Sequence, residues 1–201
     1  MNVTKKDAGK GYSLVETLVA VALFSVVISI AIAGLALITD ANRRAEAARR
    51  IIDNLDFVVE DMVRTVRQGN RYHCGLLSEY DDEVAAGQNG IGNARDCIEG
   101  EYLAFEASGG DITDSSDQVV FRFNDGAIEK TTDPINGTFV QVSDPLIEIQ
   151  NLKFYVVGSL SNDVTPSRVI LVLKAATGRE NFIDRTVFNI QTTITQRATD
   201  L

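Results

Sequence analysis

The sequence predicts an α+β protein: a long N-terminal helix packed on an antiparallel β-sheet domain. Three observations predict it. Residues 12–68 contain no proline and a single glycine, Gly34, which suits one continuous helix. Beyond residue 100 the apolar period changes from helical spacing to alternation. The pair Asp125-Gly126 lies between two alternating runs, a strong short-range hairpin signal. Helix first and strands after is the α+β order, with the sheet stacked against the helix.

The helix reads as two halves with two solvents. Residues 17–39 are 23 positions without a charge, or roughly 35 Å of helix at about 1.5 Å per residue. That exceeds a bilayer core of about 30 Å, so residues 12–38 suit lipid or the centre of a helical bundle. Ser25, Ser29 and Ala33 recur every fourth position and form a small-residue stripe, which lets helices approach closely where no hydrophobic force drives association. One carboxylate, Glu16, stands at the head of this run. Carboxylates are costly and rare in hydrocarbon, so it needs a partner or a task.

Over residues 39–68 the pattern turns amphipathic. Ile51, Ile52, Leu55, Val58, Val59, Met62, Val63 and Val66 follow the i, i+3, i+4, i+7 rule, with Asp53, Asp56, Glu60, Asp61 and Arg64 between them. The stripe is core packing against the chain's own sheet. Gln68-Gly69-Asn70 ends the helix, with Gly69 expected as a left-handed cap.

Residues 69–201 form the distal domain. The segment from 71 to about 100 reads as irregular, with Gly75, Gly87, Gly90 and Gly92 and the charged run Glu79 to Glu83. Strands are expected at Tyr102–Phe105, Val119–Phe123, Ala127–Lys130, Thr138–Val142, Ile147–Val157, Val169–Lys174 and Thr186–Thr195. The unbroken apolar run Val169–Leu173 suggests a strand covered on both faces. Leu152, Phe154 and Val156 alternate with Lys153 and Tyr155, as on a strand with one wet side.

Charge and composition exclude several functions. The chain of 201 residues has a net charge of −9, and no strong basic patch marks the distal part, so nucleic acid is not an expected partner. One histidine and two separated cysteines cannot make a zinc site. No phosphate-cradling glycine motif follows a strand. His73 beside Cys74 is a poor nucleophile pair if the cysteine is bonded. The chain reads as a non-enzyme without a cofactor.

The stretch Gly11-Tyr12-Ser13-Leu14-Val15-Glu16, behind a leader bearing Lys5, Lys6 and Lys10, resembles the processing signal of type IV prepilins and type II secretion pseudopilins. The resemblance implies a pilin fold and a leader, 1–11, cut after Gly11 by a membrane prepilin peptidase. The same enzyme would methylate the new amine on Tyr12, where the family commonly has phenylalanine. Removing a leader of net +2 leaves about −11 on the side chains. Counting positive residues leaves the orientation a tie, because Arg43, Arg44, Arg49 and Arg50 balance the leader lysines. The resemblance breaks it: it implies the leader on the cytoplasmic side of the inner membrane and the distal domain outside.

The distal stretches Val120–Lys130, Ile149–Tyr155 and Pro166–Leu173 are similar to J-type pseudopilins and PilW-like minor pilins, although a tryptophan frequent in that group is absent. The resemblance implies a minor filament subunit acting at or near the tip in assembly. Its partners would be other pilin or pseudopilin subunits, the peptidase, the inner-membrane assembly platform and membrane lipid. Glu16 would pair with the Tyr12 amine of a neighbouring subunit. The alternatives are a major filament subunit, or a binding or sensor domain tethered by its helix. In an exported domain Cys74 and Cys97 suggest a disulfide closing the loop 74–97, against the alternative of two buried thiols. Calcium is known in some pseudopilins, and Asp111, Asp114 and Asp117 are its weak candidates here against a plain solvated loop.

Overall fold

The computed structural model describes residues 11–160, 166–177 and 187–197. The leader positions Lys5, Lys6 and Lys10 and the expected strand residue Thr186 lie outside them. Helix α1 covers Leu14–Gln68. The chain divides between Ala47 and Ala48 into two units, described separately below.

In the first unit the helix is sheathed in exposed apolar side chains, Leu23, Phe24 and Leu35 among them. By length and composition it is able to cross a membrane, and none of its most apolar window is buried inside the structure. Its hydroxyls are satisfied along the helix itself. Ser25 Oγ donates to Val21 O and Ser29 Oγ to Ser25 O, each at 2.8 Å, and Thr39 Oγ1 does the same to Leu35 O at 2.8 Å. Back-bonding of this kind removes the main polar cost of serine in lipid.

The second unit contains the rest of α1 and two antiparallel sheets, where the sequence suggested a single one. Strands β1 (Asn70–Gly75), β3 (Tyr102–Glu106), β4 (Val119–Asn124), β5 (Ala127–Thr131) and β6 (Val140–Gln141) form one sheet in the order β1-β3-β4-β5-β6. Strands β2 (Cys97–Gly100), β7 (Ile147–Val157), β8 (Arg168–Thr177) and β9 (Val187–Thr195) form the other in the order β2-β7-β8-β9. A short helix α2 (Tyr80–Ala85) lies between β1 and β2.

The main core joins the helix stripe to the inner faces of both sheets. Leu55, Val58, Met62 and Val66 are buried there with Leu103, Phe105, Phe121, Leu152, Phe154, Leu171 and Leu173. Ile52, expected in the stripe, is 42% exposed, and Phe57 on the outer side of the helix is 73% exposed. Polar ties fix the helix on its sheet: Asp61 meets Lys130 Nζ at 2.9 Å, and Asn54 Nδ2 donates to Asp144 at 2.9 Å. A second cluster, Tyr80, Ile91, Tyr102, Ala104 and Val120, forms around the side chains that alternate with those of the main core along β3 and β4.

The hairpin at Asp125-Gly126 has positive φ at both residues, 44° and 77°, the requirement of a type I′ turn, and closes the pair Asn124↔Ala127. Strand β6 is shorter than expected. Phe139 leaves the ladder to lie under Arg122, whose guanidinium carbon is 3.4 Å from the ring centroid, and against Tyr80. The run 169–173 also differs from expectation. Val169, Leu171 and Leu173 are buried, but Ile170 and Val172 on the other face are only half-buried, so one face of β8 is covered and not two.

Gly69 ends α1 for a different reason from the one expected. It is absent from the positive-φ positions, which here include Arg71 at φ 54°. Instead a Cβ at residue 69 would run into the Phe105 ring and come within 3.0 Å of Glu106 O. The helix stops where its backbone touches β3, and only hydrogen fits in the contact. The open carbonyls of the last turn are met by the buried Tyr72 hydroxyl, 2.7 Å from Val66 O and 2.8 Å from Gly69 O, and by Arg197 N–H donating to Arg67 O at 3.0 Å. Unmet helix ends are costly when buried, so these contacts stabilise the junction.

Candidate functional site

The N-terminal segment is built by a cap. Ser13 sits just before α1, and its Oγ accepts from Glu16 N–H at 3.2 Å, while Ser13 O accepts from Thr17 N–H at 3.2 Å. Ser13-Leu14-Val15-Glu16 has the S-x-x-E spacing of a capping box, a signal readable in the sequence that composition and resemblance overshadowed. Glu16 is exposed in the first turn, where the helix dipole favours a negative charge. Tyr12 is 82% exposed, and Gly11 has open space around it. Among the described residues nothing crowds the 11–12 junction, and the helix starts two residues further on, at Leu14.

A second cluster surrounds the disulfide. Cys74 and Cys97 are joined, with Cα atoms 5.8 Å apart, at a sequence separation of 23. The link ties β1 of one sheet to β2 of the other, and Gly100 lies against both sulfurs at about 3 Å from where its Cβ would stand. Beside Cys74 and just outside the loop it closes, His73 is buried, with Nδ1 2.7 Å from Asn93 O and Nε2 3.1 Å from Tyr102 Oη. The geometry calls for a neutral ring: Nδ1–H donates to the carbonyl and Nε2 accepts from the tyrosine. Burial lowers the His73 pKa below its usual 6.5, opposed by the bond to Asn93. Arg95 donates to Cys74 O at 3.1 Å and to Glu83 at 2.7 Å, clamping α2 to the sheet. Asp96 accepts from Gly158 N–H and Ser159 N–H at 3.0 and 2.8 Å. The packing around His73 is structural: it is locked between carbonyl and phenol, and its neighbouring cysteine is bonded.

The third place is the acidic loop 107–118. Asp111 Oδ1 accepts from Thr113 N–H and hydroxyl at 2.9 and 2.7 Å, and Asp114 Oδ1 accepts the same pair from Ser116 at 2.8 and 2.6 Å. Those bonds hold both exposed carboxyls below the usual range. Asp117 Oδ2 accepts from Asp111 N–H at 2.8 Å. The three aspartates thus close turns rather than converge, and among the described residues no group of three or more His, Cys, Asp or Glu is placed to hold a metal ion. Sequence reasoning passed over Glu106, the last residue of β3, which lies buried beneath this loop.

Compared with protein-family models, with curated proteins and with solved structures, the chain matches none of them.

Proposed function

We propose that the chain is a minor pilin or pseudopilin, a structural subunit of a type IV pilus or type II secretion pseudopilus rather than an enzyme. It enters the cytoplasmic membrane through the apolar half of α1 with its distal domain outside. The peptidase cuts after Gly11 and methylates Tyr12, and the subunit then joins a filament in which residues 12–38 pack against other pilins. The likeness of Val120–Lys130, Ile149–Tyr155 and Pro166–Leu173 to J-type and PilW-like subunits supports a place at or near the tip, helping to start assembly with the inner-membrane platform.

One observation carries this reading. A capped helix begins two residues after a Gly-Tyr junction, bears a single carboxylate in its first turn, and continues as an apolar surface that the chain itself leaves uncovered. A charge left alone in an apolar assembly costs several kcal/mol, roughly 3–5 when one partner of a buried pair is removed. Glu16 therefore selects for subunits that offer it an amine. Mass spectrometry of the protein from its native host tests the first step, with N-methylated Tyr12 as the expected N-terminus; an intact leader on the exported form refutes processing. Glu16→Ala tests the second: it is cut normally yet depleted from sheared filaments, and incorporation equal to wild type refutes the pairing role.

A further inference from the structure

Glu106 is 1% exposed, and neither of its carboxyl oxygens has a hydrogen-bond partner among the described residues. The polar atoms around it repeat the problem. Asp117 Oδ1 and Gln118 Oε1 are also buried acceptors without a donor. Phe105 pairs with Val119, so the next step of the ladder sets Glu106 against Gln118 on one face. The loop presses down from above. A Cβ on Gly110 would collide with Glu106 Oε1 and stand 3.1 Å from Asp117 Oδ2, so both carboxyls meet at the Gly110 backbone. The charged groups facing Glu106 are Asp117, Asp111 and Asp114 from the loop and Arg71 from β1. Arg71 opposes the aspartates, favouring the ionised carboxyl, while its guanidinium donates to Ile112 O at 3.0 Å rather than to Glu106. A closed loop therefore gathers acceptors and negative charge around a carboxyl that has no donor of its own.

We propose that Glu106 is a proton-operated latch: carrying a proton it lets the loop 107–118 close over it, and on ionising it drives the loop off. The proton cancels the charge facing Asp117 and turns one acceptor into the missing donor. Burial first, and then the Asp117 charge, move this carboxyl from its ordinary 4.5 to about 7. The sign follows from proton counting. Between those pH values the closed form holds a proton that the open form releases, so closure weakens as pH rises through the window and is lost no further above it. A shift of this size changes the closed-to-open ratio by up to about two orders of magnitude. The latch stands apart from the filament reading and does not depend on it.

Hydrogen exchange of the full chain in detergent micelles, followed from pH 5 to 8.5 with chelator present and corrected for intrinsic rates, reads the loop directly. The amides of Gly110, Asp111, Thr113, Asp114 and Ser116 all donate within the loop and report its closure. Their protection is expected to fall about ten- to a hundredfold across the window in the wild type and to stay level in Glu106→Gln. Asp117→Asn removes the nearest negative charge and moves the step to lower pH, a test that survives if Glu106→Gln fails to fold. Level protection in the wild type, or an unchanged step in either variant, overturns the latch. Protection restored at pH 8 by millimolar calcium or magnesium also overturns it, by giving the cluster to a cation.

Discussion

The two stretches of α1 share one backbone geometry and opposite environments. Residues 14–47 expose leucine, valine, isoleucine and phenylalanine on every side, while residues 48–68 bury one stripe against two sheets and face water with Asp53, Asp56 and Glu60. The second stretch has its apolar partners in the same chain; the first must find them elsewhere. Helix propensity is nearly the same for both, so what separates them is who supplies the burial. Substitutions should therefore have unlike consequences in the two stretches.

The largest contrast is expected in the core. Phe121→Ala, in the fully buried layer under the helix, should cost the distal domain about 3–5 kcal/mol. Leu23→Ala, in the uncovered stretch, should leave its thermal midpoint unmoved, as followed by near-ultraviolet dichroism of the tyrosines. A shift at Leu23 comparable to that at Phe121 would break the division. Next, reducing the Cys74–Cys97 link should cost the distal domain about 3 kcal/mol in the chain-entropy account, seen as a lower thermal midpoint of the same tyrosine signal. Gly69→Ala sharpens the border between the stretches. Its added methyl has no room against Phe105, and an overpacked contact of this kind costs about 1–3 kcal/mol; a left-handed cap would respond differently, because Gly69→Asn would then rescue.

The smallest effect concerns pH. His73 is buried neutral, with its pKa lowered. The folded form then binds fewer protons than the unfolded one below about 6.5, so its contribution is complete above that value and declines as pH falls beneath it. His73→Gln should flatten that acid slope in a stability profile. Glu106 acts with the opposite sign, so the distal domain is loosened locally at both ends of the range by two groups on adjacent strands, β1 and β3.

What was legible in the sequence follows from the same physics. Helix α1 and strand β7 show clear periods because each has one side in a core, while β3 and the start of β4 read as short apolar runs because their alternate side chains enter two clusters. Strand β1 escaped because Asn70-Arg71-Tyr72-His73 carries a bulge and a positive φ at Arg71. Strand β2 has four residues, one of them Glu99 at φ 59°, and is extended by pairing to β7 and by the disulfide rather than by its own preference. Helix α2 is six residues long, too short to persist alone, and is held through buried Tyr80. At the candidate site, Gly11, Tyr12, Glu16 and the cysteines were visible as types and spacings. Glu106 was not, since a glutamate at a strand end looks like any solvated residue until a distant loop is known to cover it.

Ser13 has a consequence of its own. The atom that terminates the first turn of α1 belongs to a side chain located downstream of the Gly11–Tyr12 bond. Among the described residues, both acceptors that meet the opening coil of the rod belong to Ser13 and stay with it when that bond is severed, so its cap does not depend on the trimming. Ser13→Ala would couple them, letting the shortened end fray by about 1 kcal/mol and blurring the position at which Glu16 is presented.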